Sequence, residues 1–426
     1  MTRQTVDLIV HNAGQLVTGA DAGAAKRGAA MRELGIIADG AVAADAGVIV
    51  AVGASRDIRE HFAARQTLDA SGRAVIPGLV DPHTHVVFGG DRVHEFELRV
   101  QGASYMEIMA AGGGILSTVR ATRSAPADEL FATAYRRLDE MLALGTTTVE
   151  IKSGYGLDTA TELKMLGVMA RLDGEHPCTI VPTFLGAHTL PPEFRDDADG
   201  YVELVVEEMI PAVAAWYAAS HFAEEGRPLF IDVFCEEHAF DVDQSRRILA
   251  AGLAAGMRPK AHVDQFNRLG GVQMAVALGA VSVDHLDVSG PDELAALAGA
   301  ATIAVPLPAA NLNLGHTAFA PGRALIDAGA AVALATDLNP GSAPCYSQPL
   351  VMAVAARYLH MLPAEALTAV TVNAAHAVGM GAQVGSLDVG KQADLLILKE
   401  ADYRHVAYFF GGNPVATVIK RGEVVA

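Results

Sequence analysis

Apolar positions along the chain fall into three textures. Over residues 1 to about 72, short alternating runs (VDLIVHNA, GAVAAD, GVIVAVG) are divided by Gly and Asp turns, as in a succession of short strands. From about 73 to 380, wholly apolar runs alternate with Ala- and Leu-rich stretches of helical spacing such as TELKMLGVMARL and QSRRILAAGLAAG. After that, GSLDVGKQADLLILK and PVATVIKRGEVV return to strand texture. The pattern predicts a small β domain made jointly by residues 1–72 and 381–426, flanking a central domain over 73–380.

The central alternation can be counted. The candidate strands are VIPGLVDPHTH, TTTVEIKSG, CTIVPTFLGAH, FIDVFCEEH, PKAHVDQ, AVSVDHL, ATIAVPLP and AVALATDLN. Eight apolar strands with helical crossovers predict an α/β fold, a (β/α)8 TIM barrel. An open doubly wound sheet is the alternative, but it would favour a GxGxxG turn after its first strand, and none is there.

The first of these strands ends in His-Thr-His. Residues i and i+2 of a strand share a face, so His83 and His85 point one way. The later strands end on Tyr155, His188, Glu236 to His238, His262, His285 and Asp337. A barrel brings all its strand C-termini to one mouth. His83, His85, His262 and Asp337 then make a candidate mononuclear metal site of three imidazoles and a carboxylate. Zn²⁺ accepts such donors, and Fe²⁺ or Mn²⁺ would also. A bound ion lowers the pKa of its water towards about 7. Asp337 could take the water's proton and pass it to a leaving nitrogen, while His285 could polarise a carbonyl.

Taken singly, each of these residues has an ordinary reading, as a satisfied strand-end histidine or a helix cap. Their occurrence at successive strand ends favours the metal. His94 and His238 are the further histidines that could face the mouth; the others are read as structural or surface. Arg92, in the loop after the first strand, suits a carboxylate, or else an ion pair with Glu95 or Asp91. Tyr155 could bind substrate or pack. The triple glycine of AAGGGILSTVR lacks the GK[ST] of a phosphate loop and is read as a flexible loop.

Composition narrows the partners. With 49 acidic and 31 basic residues the net charge is −18, which repels nucleic acid and anionic membranes. An anionic substrate therefore needs a local basic pocket. Three cysteines without a CxxC fit a reducing, cytoplasmic setting, and MTRQTVDLIV carries no apolar signal-peptide core. The apolar stretch LAALAGAATIAVPLPAANL holds prolines and no basic flanks, so it reads as a helix end and a buried strand rather than a membrane span.

IPGLVDPHTH, His262, Asp337 and GSLDVGKQADLLIL resemble the amidohydrolase superfamily. VDPHTHVVFGGDRVHEFELRVQGASY, AAGGGILSTVRATR, EIKSGYGL, FLGAHTLP and ATDLNPGSAP further resemble its imidazolonepropionase family, over nearly the whole chain. The resemblance implies a metal-dependent (β/α)8 barrel with a small β-sandwich from both termini. It also implies hydrolysis of the cyclic amide of 4-imidazolone-5-propanoate to N-formimidoyl-L-glutamate, in histidine degradation. On this resemblance one divalent ion per subunit, Zn or Fe, sits on His83, His85, His262 and Asp337. Arg92, Tyr105, Tyr155, His188, Asn339, Gly341 and Ser342 contact the small anionic substrate, His285 assists at the carbonyl, and the enzyme is a homodimer.

The chain departs from the family at one position. Where other members carry a carboxylate three residues after the third metal histidine, Gln265 stands here. An amide is no base at neutral pH, so Gln265 is expected to orient substrate, leaving proton transfer to Asp337 and His285; Asp264 should face the other side of its strand. Two other functions compete. A nucleobase deaminase would use the same four ligands but would favour aromatic stacking, and aromatics are 6% here. An inactive barrel acting as a binding protein would be expected to have lost metal ligands, and all four are present.

Overall fold

The computed structural model describes residues 3–103, 107 and 113–426, so Tyr105 lies outside the described residues. In chain order the strands are β1 Gln4–Val17, β2 Ile36–Asp45, β3 Val48–Ala54, β4 Phe62–Asp69 and β5 Ala74–Pro77. Next come β6 Leu79–Asp81, β7 Thr146–Lys152, β8 Thr179–Ala187, β9 Phe230–Cys235, β10 Arg258–Val263, β11 Ser282–His285 and β12 Ile303–Val305. Last are β13 Leu395–Leu398, β14 Val415–Lys420 and β15 Glu423–Val424.

The two chain ends form one eight-stranded ladder in the order β15-β14-β13-β5-β1-β2-β3, with β4 beside β1. It is antiparallel except where β1 runs parallel to β4 and β5. Alternation explains its faces. Leu8, Val10, Val42, Val75, Leu395 and Ile397 bury one side, while Ile9, Ala41 and Ala43 cover the other with Ile58.

The middle of the chain forms a seven-stranded parallel sheet, β6 to β12 in sequence order. Helices follow most strands, including Thr159–Glu175 after β7 and Val242–Ala254 after β9. Every residue of β7 and β8 is buried, as expected for parallel strands covered on both faces. The run from residue 294 is the end of helix Pro291–Gly299 followed by β12, as expected. Among the described residues no helix is long and apolar enough to cross a membrane.

Two details differ from the sequence expectation. VIPGLVDPHTH is not one strand: it leaves the terminal sheet as β5, turns at Gly78 and enters the parallel sheet as β6. A Cβ at Gly78 would lie 2.4 Å from Thr147 Oγ1, so only glycine admits this close crossing. The eighth run, AVALATDLN, forms isolated bridges instead of a ladder. Val332 pairs with Ala304 of β12, and Leu338 pairs with Thr84 just beyond β6. Asp337 sits at φ +55°, outside the extended region, which breaks regular pairing there.

Candidate metal centre and substrate mouth

The strand-end histidines converge as the sequence predicts. His83, His85 and His262 offer ligand nitrogens that all lie within 4.8 Å of one another, and all three are buried. Among the described residues they are the only trio of metal-binding side chains so placed. Asp337 Oδ1 stands 3.6 Å from both His83 Nε2 and His85 Nε2. His285 completes the group, its ring centred 5.7 Å from His83 and 5.3 Å from His262. The backbone is turned to achieve this. Asp264, His285 and Asp337 adopt positive φ at the ends of their runs, a strained geometry common at functional sites.

Several features fit a cation. His83 Nε2 and His262 Nε2 are buried without a hydrogen-bond partner. Burial holds the His83, His85 and His285 pKa values well below normal, so these rings are neutral and present lone pairs. Burial drives the Asp337 pKa well up, against hydrogen bonds from Asn339 and Ser342. Unpaired buried imidazole nitrogens around a buried carboxyl group are a donor set that a divalent cation would satisfy. Each outer nitrogen has a carboxylate behind it, hydrogen-bonded at His83 and near but outside hydrogen-bonding geometry at His262. His83 Nδ1 lies 2.6 Å from Asp284 Oδ2, and His262 Nδ1 lies 3.1 Å from Asp232 Oδ2.

The predicted substrate contacts gather around the same point. Tyr155 is buried, 5.6 Å from the His85 ring, and His188 stacks on His85 at 5.0 Å between centroids. The His188 Nδ1 lies 3.1 Å from Gly154 O, and burial lowers its pKa to about 3. Asn339 organises the last loop. Its Nδ2 donates to Asp337 O (2.7 Å) and Ser342 Oγ (2.9 Å), while its Oδ1 accepts from the backbone N–H of Gly341 and of Ser342, both at 2.8 Å. Ser342 Oγ in turn donates to Asp337 Oδ2 at 3.4 Å.

Arg92 takes the ion pair with Glu95. Its Nε donates to Glu95 Oε2 at 2.7 Å, and its guanidinium packs against Gly341. Glu95 is fixed by the Gly114 N–H and the Ser117 hydroxyl, so the pair is braced by the end of the triple-glycine loop. Gln265 is half-buried, and its amide makes no hydrogen bond among the described residues. Asp264 turns away to accept from Ser289 Oγ at 2.7 Å.

Sequence reasoning missed two things. Arg99, one helical turn beyond Glu95, donates to Gly341 O at 3.2 Å and adds a second cation to this loop. Beneath the histidines lies a set of buried charges, Glu150, Lys152, Asp232, Lys260 and Asp284. Its signal was present as charged residues at alternate positions inside otherwise apolar strands.

A parallel α/β sheet with a buried imidazole and carboxylate cluster at its strand ends defines the class: an amidohydrolase. A family profile described as Amidohydrolase family matches residues 243–425. Among solved structures, the chain is similar to a zinc-bound adenosine deaminase from Xanthomonas campestris (TM-score 0.74, 21% identity, covering 99% of this chain and 93% of that one). It is also similar to an atrazine chlorohydrolase from Arthrobacter aurescens complexed with zinc (TM-score 0.72, 18% identity, covering 98% and 94%). Identities that low speak for the fold alone.

Sequence relatives are more specific. The chain is 59% identical over 419 residues to imidazolonepropionase of Chloroflexus aggregans, covering 98% of both chains. It is 54% identical to that of Herpetosiphon aurantiacus, covering 98% of this chain and 97% of the relative. The chain belongs to the imidazolonepropionase family.

Proposed function

We propose that the protein opens the ring of 4-imidazolone-5-propanoate with water, giving N-formimidoyl-L-glutamate, a step of histidine degradation. The observation that carries this is the buried trio His83, His85 and His262 facing Asp337, in a chain belonging to this family. On this reading these four residues hold one divalent ion, Zn or Fe. When bound, the ion supplies Lewis acidity towards water and the ring carbonyl.

The chain's own groups do the rest. Arg92, with Arg99 behind it, anchors the propanoate carboxylate beside the Asn339–Ser342 loop. Tyr155, His188 and Gln265 position the ring. Asp337 accepts a proton from the attacking water, the C–N bond of the lactam breaks, and the proton passes to the departing ring nitrogen. His285 donates to the carbonyl oxygen as negative charge develops on it.

The finer architecture follows the same reading. We read the parallel sheet as a (β/α)8 barrel, which the isolated Val332 and Leu338 bridges support, and the terminal ladder as a small β-sandwich domain. We expect a cytoplasmic homodimer whose partner is its small anionic substrate, with no role for nucleic acid or membrane. The test follows ultraviolet loss of freshly prepared 4-imidazolone-5-propanoate by metal-replete protein beside a chelator-stripped control. Loss that requires both protein and metal, with formimidoylglutamate appearing, supports the assignment. No loss with metal demonstrably bound moves the substrate to a neutral ring, as in the deaminases.

A further inference from the structure

The buried charges beneath the histidines take no part in the chemistry above. Lys152 Nζ donates to Asp232 Oδ2 at 2.7 Å and to Glu150 Oε1 at 2.8 Å, and lies 3.6 Å from Asp284 Oδ2. All four side chains are fully buried. The two aspartates reach different histidines: Asp284 Oδ2 is 2.6 Å from His83 Nδ1, and Asp232 Oδ2 is 3.1 Å from His262 Nδ1. One ammonium, on β7, thus stands between two carboxylate–imidazole arms that come from three other strands, β9, β10 and β11, and from the segment just after β6.

The physics of the arrangement is specific. A carboxylate behind Nδ1 fixes the ring's orientation and leaves Nε2 free as a ligand. Two such carboxylates in a dry interior repel one another, and repulsion grows as the local dielectric falls. A cation hydrogen-bonded to one and within 4 Å of the other offsets that repulsion, while Ser282 Oγ donates to Asp284 Oδ1 at 2.7 Å. Lys260, the other buried ammonium, donates to Pro82 O at 3.0 Å and lies 3.4 Å from Glu150 Oε1, so it is placed for Glu150 rather than for this junction.

We propose that Lys152 is a positioning residue for metal capture: by offsetting the repulsion between Asp232 and Asp284 it keeps both carboxylates in place behind His83 and His262. The inference rests on the reading of His83, His85 and His262 as metal ligands. Removing Lys152 alone leaves three buried carboxylates short of a counter-charge and threatens folding, so the decisive variant is E150Q/K152M, which removes one charge of each sign. E150Q alone is its control, because Glu150 touches neither histidine.

Zinc affinity is measured on the full-length protein by competition with a chromophoric chelator, together with the melting temperature of the metal-free form. Outer-sphere partners of metal histidines are worth about 10- to 100-fold in affinity. We expect E150Q to bind zinc like the natural protein, and E150Q/K152M to bind at least about tenfold more weakly at a similar metal-free melting temperature. The visible spectrum of the cobalt-loaded double variant should also change, reporting a displaced imidazole. Equal affinity in the two variants overturns the proposal. So does an equal loss in both, which would assign the effect to core charge in general. His262→Ala separates the premise: if it binds zinc as well as the natural protein, the metal reading falls, and this inference with it.

Discussion

Gly341→Ala tests the carboxylate anchor without touching a charged group. Gly341 does not have a positive φ, so alanine brings no backbone strain, only bulk. The new Cβ would lie 2.1 Å from Arg92 Nη1 and 2.7 Å from its Cζ. Non-bonded heavy atoms settle near 3.5 Å, so the guanidinium must withdraw by more than about 1 Å. It is not free to swing, because Glu95 holds it at 2.7 Å and is itself held by Gly114 and Ser117. A hydrogen bond to a charged group is worth about 1.5–3 kcal/mol. Lost in full, that lowers kcat/KM by about 10- to 150-fold at roughly 1.4 kcal/mol per decade. The loss should fall mainly on KM, since the carboxylate is held alike in ground and transition states. The assay compares the propanoate substrate with its propanamide counterpart. The variant should lose activity on the acid, keep it on the amide and melt lower by the cost of the clash, about 1–3 kcal/mol. An unchanged kcat/KM for the acid, or an equal loss on both substrates, would refute the anchor.

Stripping the metal should abolish turnover, and zinc or ferrous iron should restore it; at about 1,000 times Kd the ion should also add about 4 kcal/mol to stability, visible as a higher melting temperature. Gln265→Ala should leave the melting temperature unchanged, since the amide has no partner among the described residues, but lower kcat/KM about tenfold, the worth of one neutral hydrogen bond. Glu365 caps Leu362 N–H and accepts from Arg32 and Arg323. Burial opposes its ionisation, but those donors win, and its folded pKa lies below the ordinary 4.5. Its stabilisation is therefore present above that value and lost as pH falls through the lower folded pKa. Glu365→Gln should cost about 2 kcal/mol at neutral pH and flatten the acid limb of a melting-temperature profile; an unaltered limb would count against it.

The fold was legible where the period of the apolar positions changed. Alternation in VDLIVHNA and continuous burial in CTIVPTFLGAH are different patterns because one strand is half covered and the other covered on both faces. The split at Gly78 was not legible, because AVIPGLVD is equally apolar on both sides of the crossing. What separates β5 from β6 is the approach of Thr147, 69 residues away in sequence. The irregularity of the eighth run was hidden for a similar reason. Nothing in AVALATDLN announces that Asp337 leaves the extended region to turn its carboxylate towards His83 and His85.

The metal site was legible because its residue types are scarce at strand ends. The charges beneath it were missed because only strand ends were read. Yet the same two-residue period that aligns His83 with His85 aligns Glu150 with Lys152 in TTTVEIK, and Lys260 with His262 in PKAHV. Lower in the sheet that interior period is apolar: Val181, Phe230, Ile303 and Val305 cluster together, and Lys260 Nζ lies 4.9 Å from the Phe230 ring. The interior thus changes from hydrocarbon to ion pairs to imidazoles over the length of the strands. Ion pairs in such a place seldom stabilise a fold better than well-packed apolar side chains would. Their position accounts for them instead. An apolar layer could fill the same volume but could not accept a hydrogen bond from His83 Nδ1, and a single carboxylate could not serve both His83 and His262. Two aspartates and a shared lysine answer that geometric demand, so this layer of the core belongs to the metal site as much as to the fold.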